Sequence, residues 1–139
     1  MRIEPYLFFD GRCEEAIEFY KANLGAEVQM MMRFKDSPQP PKAGECGNAP
    51  PDAVMHATLL IGDSVVMASD GNATGHPKFE GFSLSFSARN DLEAQKIFDA
   101  LAGNGGKVCV PLTKTFFSSS FGMVDDRFGV HWMVIVPQK

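Results

Sequence analysis

The 139 residues suffice for one domain with a real core and are too few for two independent ones. Apolar residues make up 45% and charged residues 22%, an ordinary globular balance. The net charge of −4, with thirteen scattered Lys and Arg, argues against nucleic acid, which selects a clustered basic face. Met1 to Pro5 leads straight into a strand-like segment, so no export leader is expected. No apolar run approaches the ~20 residues that span a membrane. The three cysteines, Cys13, Cys46 and Cys109, lie far apart and form no CxxC pair. Neither a disulfide framework nor a zinc finger is suggested, and reduced thiols in a cytoplasm are the simplest reading.

Pro5 to Phe9 reads as an apolar strand, and Glu14 to Leu24 as an amphipathic helix carrying Ala16, Ile17, Tyr20 and Leu24 at spacings of three and four. Gly25 suits the left-handed C′ position. Val28 to Phe34 follows as a Met-rich strand. Asp36 to Asp52 holds five prolines (Pro38, Pro40, Pro41, Pro50 and Pro51) and is expected to be a long loop. Val54 to Ile61, the turn Gly62-Asp63-Ser64 and Val65 to Ser69 read as an antiparallel hairpin. Asp70 to Glu80 is a glycine-rich linker.

The same order then repeats. Phe82 to Ser87 alternates apolar and serine residues as a strand does. Asn90 with Glu93 resembles a capping box ahead of a helix from Asp91 to Ala102, whose stripe is Ala94, Ile97, Phe98 and Leu101. Lys107 to Val110 is a strand, Thr115 to Val124 an aromatic and serine-rich segment, Asp125 to Gly129 a turn, and Val130 to Val136 the closing strand. Each half therefore reads β-α-β-β-β, an α+β class. The boundaries are 1–70 for the first module, 71–80 for the linker and 81–137 for the second, within one domain.

Several residues here resemble those of the glyoxalase/bleomycin-resistance/extradiol-dioxygenase superfamily, the vicinal oxygen chelate fold. They are Ala16-Ile17-Glu18-Phe19-Tyr20 with Leu24-Gly25-Ala26, Leu60-Ile61-Gly62-Asp63-Ser64 and Asp126-Arg127-Phe128-Gly129. The PhnB-like branch is resembled more narrowly through Pro5 to Gly11, His56-Ala57, Ser69-Asp70 and Phe128-Gly129-Val130 with Trp132. The resemblance implies two modules forming a curved mixed sheet around a cleft, and commonly a homodimer. Metal-dependent members hold one divalent ion with a His or Glu from the first and fourth strand of each half. Those places fall here on Pro5 or Tyr6 (with Glu4 nearby), Met67, Ser83 or Phe82, and Met133. Two thioethers, a hydroxyl and an aromatic ring do not grip a hard or borderline ion, so no metal and no cofactor is expected.

The leading expectation is metal-independent binding of a small, partly apolar molecule in the inter-module cleft. The lining would be Tyr6, Phe8, His56, Met67, Ser83, Ser85, Phe117 and Met133, as in the members that sequester an antibiotic. Two other readings stay open: a lyase, isomerase or dioxygenase with a rearranged metal site, and a structural dimer with a residual cleft. For His56 the choice is between a polar handle in the cavity and a histidine bonded to neighbouring strands or Asp70. The methionines (Met30, Met31, Met32, Met55, Met67, Met123 and Met133) are expected to fill the core in the main. The serines around Phe116 and Phe117 suit either a pocket edge or a dimer seam. Cys13 begins a helix but has no neighbouring His, and Asp125-Asp126 reads as turn chemistry. No glycine-rich loop suited to S-adenosylmethionine, dinucleotide or P-loop phosphate is present.

Overall fold

The computed structural model describes residues 1–38, 49–71, 73 and 75–138. The chain divides into two compact units, Met1–Pro77 and Lys78–Lys139. The first runs β1 (Tyr6–Phe8), α1 (Cys13–Leu24), β2 (Glu27–Arg33), β3 (Val54–Ile61) and β4 (Ser64–Ser69). The second runs β5 (Leu84–Ser87), α2 (Asp91–Ala102), β6 (Lys107–Thr113), β7 (Phe121–Asp125) and β8 (His131–Ile135). The strands form two separate four-stranded sheets, ordered β1-β4-β3-β2 and β5-β8-β7-β6. In each, the first strand pairs parallel with the last, and the remaining pairs are antiparallel.

Period-two alternation gives each sheet a helix-facing side and an open side. In β3, Ala57, Leu59 and Ile61 are buried, while His56, Thr58 and Leu60 are only half-covered. The buried stripe of α1 (Ala16, Ile17, Tyr20 and Leu24) packs on this side with Leu7, Val66 and Ala68. In the second unit Ala94, Ile97, Phe98 and Leu101 of α2 lie on the side that also buries Val124, Trp132 and Val134. Burying one such Leu, Ile or Phe contributes about 1.5–3 kcal/mol.

Each unit is clipped internally by one buried carboxylate. Asp70 accepts N–H bonds from Gly11 (3.0 Å), Cys13 (2.8 Å) and Val54 (2.7 Å), tying the start of α1 to β3. Asp126 accepts from the backbone of Phe128 (2.9 Å) and Val130 (3.1 Å) and from the Trp132 indole (2.9 Å). Asp126 is thus turn chemistry, as its sequence context suggests.

Helix ends follow their capping residues. Gly25 takes φ 68 and its N–H bonds Tyr20 O. The Asn90 side chain accepts from Glu93 N at 2.8 Å, but Glu93 returns the bond to Arg89 N (3.0 Å) rather than to Asn90. Some strand limits differ from expectation. β2 stops at Arg33 because Phe34–Asp36 closes into a 3-10 turn. β5 begins at Leu84, where pairing with Trp132 begins. β6 continues through Pro111 to Thr113, which an edge strand tolerates because no ladder donor is lost.

Of the proline-rich loop, residues 39–48 lie outside the described residues, and Cys46 with them. The described ends are tied together. Arg33 holds both carboxylate oxygens of Glu14 (2.6 and 3.1 Å) and the Asp52 carbonyl (2.7 Å), and Lys35 pairs with the Asp52 carboxylate at 2.7 Å.

Candidate functional site

The open side of the first sheet gathers four of the eight expected residues. Tyr6 lies directly opposite Met67, and Met67 opposite Thr58. The Tyr6 ring centroid is 5.0 Å from that of Phe8 and 5.4 Å from that of His56. The Tyr6 hydroxyl and His56 Nδ1 are 2.8 Å apart, and His56 Nε2 is 3.1 Å from Thr58 Oγ1. Both partners are hydroxyls, which donate or accept. The imidazole can therefore carry its proton on either nitrogen and keep both partners. The bond to Asp70 considered from sequence does not form, because Asp70 is committed to three backbone N–H groups.

The second unit holds the other four, Ser85 and Met133 on its strands and Ser83 and Phe117 outside them, and it divides them. Ser85 lies opposite Met133, and Met133 opposite Met123. Ser83 and Met133 line a groove of about 450 Å³ together with Phe82, Cys109, Met123, Asp125 and His131. Ser85 is exposed on the same face of β5, outside the groove lining. Phe117 stands elsewhere. It meets Phe121 edge-on at 5.1 Å, and Phe121 pairs with Ile135, at the opposite end of β8 from His131.

His131 opens β8. Its Nδ1 bonds Asp125 Oδ1 and its Nε2 bonds the Phe79 carbonyl at 3.0 Å. A carboxylate and a carbonyl only accept, so both bonds require both ring protons. The Asp125 bond is the main cause that raises the His131 pKa, against the opposing effect of burial. The pair was legible in principle, since Asp125 and His131 flank a tight turn as direct cross-strand partners. Cys109 beside it is not an activated thiol, because burial first and the Asp125 charge second raise its pKa. Cys13 is buried and raised for the same first reason, with Asp70 and Glu14 adding to it.

The methionines overturn their expected role. None of the seven belongs to the buried core, and Met30 and Met31 are openly exposed on the edge strand β2. The serines of the segment bond within the unit, while Phe116 and Phe117 stay exposed. Ser118 is buried and its Oγ lies 2.7 Å from the carbonyls of Ser120 and Val136. Ser119 and Ser120 donate to Asp91 (2.6 and 2.7 Å), which lowers that carboxyl's pKa.

Two β-α-β-β-β units, each a four-stranded mixed sheet with one helix, give the chain a glyoxalase/bleomycin-resistance-like fold. A glyoxylase/bleomycin resistance protein/dioxygenase domain from Frankia shares that fold at 13% identity, with a TM-score of 0.64 over 99% of this chain and 95% of that one. More narrowly, the chain belongs to the family described as 3-demethylubiquinone-9 3-methyltransferase, whose signature matches residues 1–135. It is 41% identical to protein PA1353 from Pseudomonas aeruginosa, whose crystal structure superposes with a TM-score of 0.83 over 100% of this chain and 99% of that one. It is 36% identical to Protein YjdN of Escherichia coli, over 100% of this chain and 97% of that protein. A Bacillus cereus PhnB protein carrying the same methyltransferase description is 27% identical, with a TM-score of 0.79 over 98% of this chain and 99% of that one.

The family description implies S-adenosylmethionine as methyl donor, and the residues present do not fit it. A nucleoside-bearing ligand is commonly seated at a strand-to-helix turn open to its polar groups. In the turn before α1, Gly11 N–H is committed to Asp70, and a Cβ at Gly11 would lie 3.1 Å from Gly75 N, so backbone already fills that space. The turn before α2 is Ala88-Arg89-Asn90, without glycine, and Arg89 N–H is committed to Glu93. The fold likewise implies a divalent ion. Its expected places carry Tyr6, Met67, Ser83 and Met133, a donor set too soft and too weak for one. Among the described residues no three His, Cys, Asp or Glu side chains stand close enough to share an ion. No helix among them is long and apolar enough to cross a membrane.

Proposed function

We propose that this chain binds a small, partly apolar molecule on the open faces of its sheets, without a metal ion. The observation that carries the reading is the cluster of Tyr6, Phe8, His56 and Met67. Two adjacent rings offer an apolar platform, a thioether adapts to ligand shape, and the imidazole between two hydroxyls keeps both bonds in either tautomer. The displacement of every described methionine from the buried core adds adaptable surface. The second unit offers its own contacts through Ser83, Ser85 and Met133, with Phe117 as a further exposed ring. The antibiotic-sequestering members of the superfamily set the precedent. We also assign a homodimer, supported by exposed Val28, Met30 and Met31 on the edge strand β2, and a cytoplasmic location that rests on cysteine usage alone.

The test is a thermal-shift screen of drugs and metabolites in the presence of chelator. Ligand at a hundredfold excess over Kd adds about 2.7 kcal/mol, a rise in Tm on the order of 10 °C for a chain of this size. Hits should weaken in Tyr6→Ala and His56→Ala. An absence of hits across the screen, or hits indifferent to both substitutions, contradicts the reading.

A further inference from the structure

We infer that the groove of the second unit takes the uncharged, flat part of a ligand: an aromatic ring carrying one hydrogen-bonding group, such as a carboxamide or a phenol. This rests on the binding reading above and names the chemistry at one part of it. The groove, about 450 Å³, has room to seat a small ring.

Three features set the ligand class. The first is softness. Met123 and Met133 face each other directly across β7 and β8, and Phe82 stands beside them. Thioether sulfurs make favourable contacts with aromatic rings, and Phe82 adds a ring wall.

The second feature is charge. The only ionised groups in the lining are Asp125 and His131, and they are bonded to each other. The remaining ring N–H of His131 is committed to the Phe79 carbonyl at 3.0 Å. Cys109 adds no charge, since its raised pKa keeps it a thiol. Neither an anionic nor a cationic ligand would find an uncommitted counter-charge here, and its lost hydration would not be repaid. An uncharged ring meets no such cost.

The third feature is one uncommitted polar group. The Ser83 hydroxyl lines the groove and has no hydrogen-bond partner among the described residues. The Trp132 indole N–H, the other polar group of the lining, is committed to Asp126 at 2.9 Å. One hydroxyl that donates or accepts matches one amide or phenol group on a ring.

Methionine-methyl NMR reads each part of the molecule separately, with signals assigned by Met67→Leu, Met123→Leu and Met133→Leu. The probes are benzamide, benzoate and benzylammonium, which share a ring and differ in charge. Benzamide should shift Met123 and Met133 saturably, and the two ions should bind there at least about tenfold more weakly. Ser83→Ala should weaken benzamide about three- to tenfold and leave toluene unchanged. A charged probe binding at Met123 and Met133 as tightly as benzamide overturns the inference. Saturable shifts at Met67 alone overturn it too while sparing the wider binding reading, which the drug and metabolite screen decides on its own.

Discussion

His56 and His131 are both imidazoles on open sheet faces, and their partners give them opposite behaviour. His56 sits between two hydroxyls that accept or donate, so either tautomer keeps both bonds. His131 sits between two acceptors and keeps both bonds only as imidazolium. Its pKa is raised in the folded chain, chiefly by Asp125, with Asp126 a further negative neighbour. The unfolded value is about 6.5. The stabilisation from this pair is therefore complete below about pH 6.5 and is lost as pH rises through the higher folded value. Urea unfolding of the wild type and His131→Gln across pH should show a stability gap that is widest in acid and narrows towards alkaline pH. A gap that stays constant or widens with pH contradicts the assignment.

The helices and the central hairpin were readable because local chemistry and burial agree there. Asp91–Ala102 and Val54–Ile61 have the limits that capping and alternation predict. Edges were less legible. Phe82 and Ser83 alternate like strand residues, but ladder pairing with β8 starts only at Leu84. The serines near Phe117 look like pocket residues in sequence, and only the fold reveals Asp91 and the carbonyls of Ser120 and Val136 as their partners. Met-rich strands look like core, yet β2 is an edge and its Met30 and Met31 stay exposed. The element most sensitive to a single methyl group is the exit of α2. A Cβ at Gly106 would lie 2.5 Å from Leu101 O and 2.8 Å from Ala102 O, both backbone atoms that cannot swing aside. Gly106→Ala should lower unfolding stability by about 1–3 kcal/mol through overpacking. At Gly25, where nothing lies within 4 Å, an Ala should cost only the left-handed backbone penalty, roughly 1–2 kcal/mol. Equal, negligible losses in urea titrations would refute the steric account of Gly106.

On the scale of the whole molecule, the family places this chain among proteins described as methyltransferases, while its own turns and side chains suit neither the methyl donor nor a catalytic cation. What its faces offer is rings, thioethers, hydroxyls and one adaptable imidazole. Sedimentation at micromolar concentration should give a dimer; a monomer there removes the proposed role of the exposed β2 residues. The binding claim is tested most directly by calorimetry of the strongest stabiliser from the screen. It is titrated once with chelator and once with excess nickel, zinc, manganese or iron(II). The account predicts the same Kd and a one-to-one stoichiometry per chain in every buffer. Binding that appears only when a metal is supplied would contradict it.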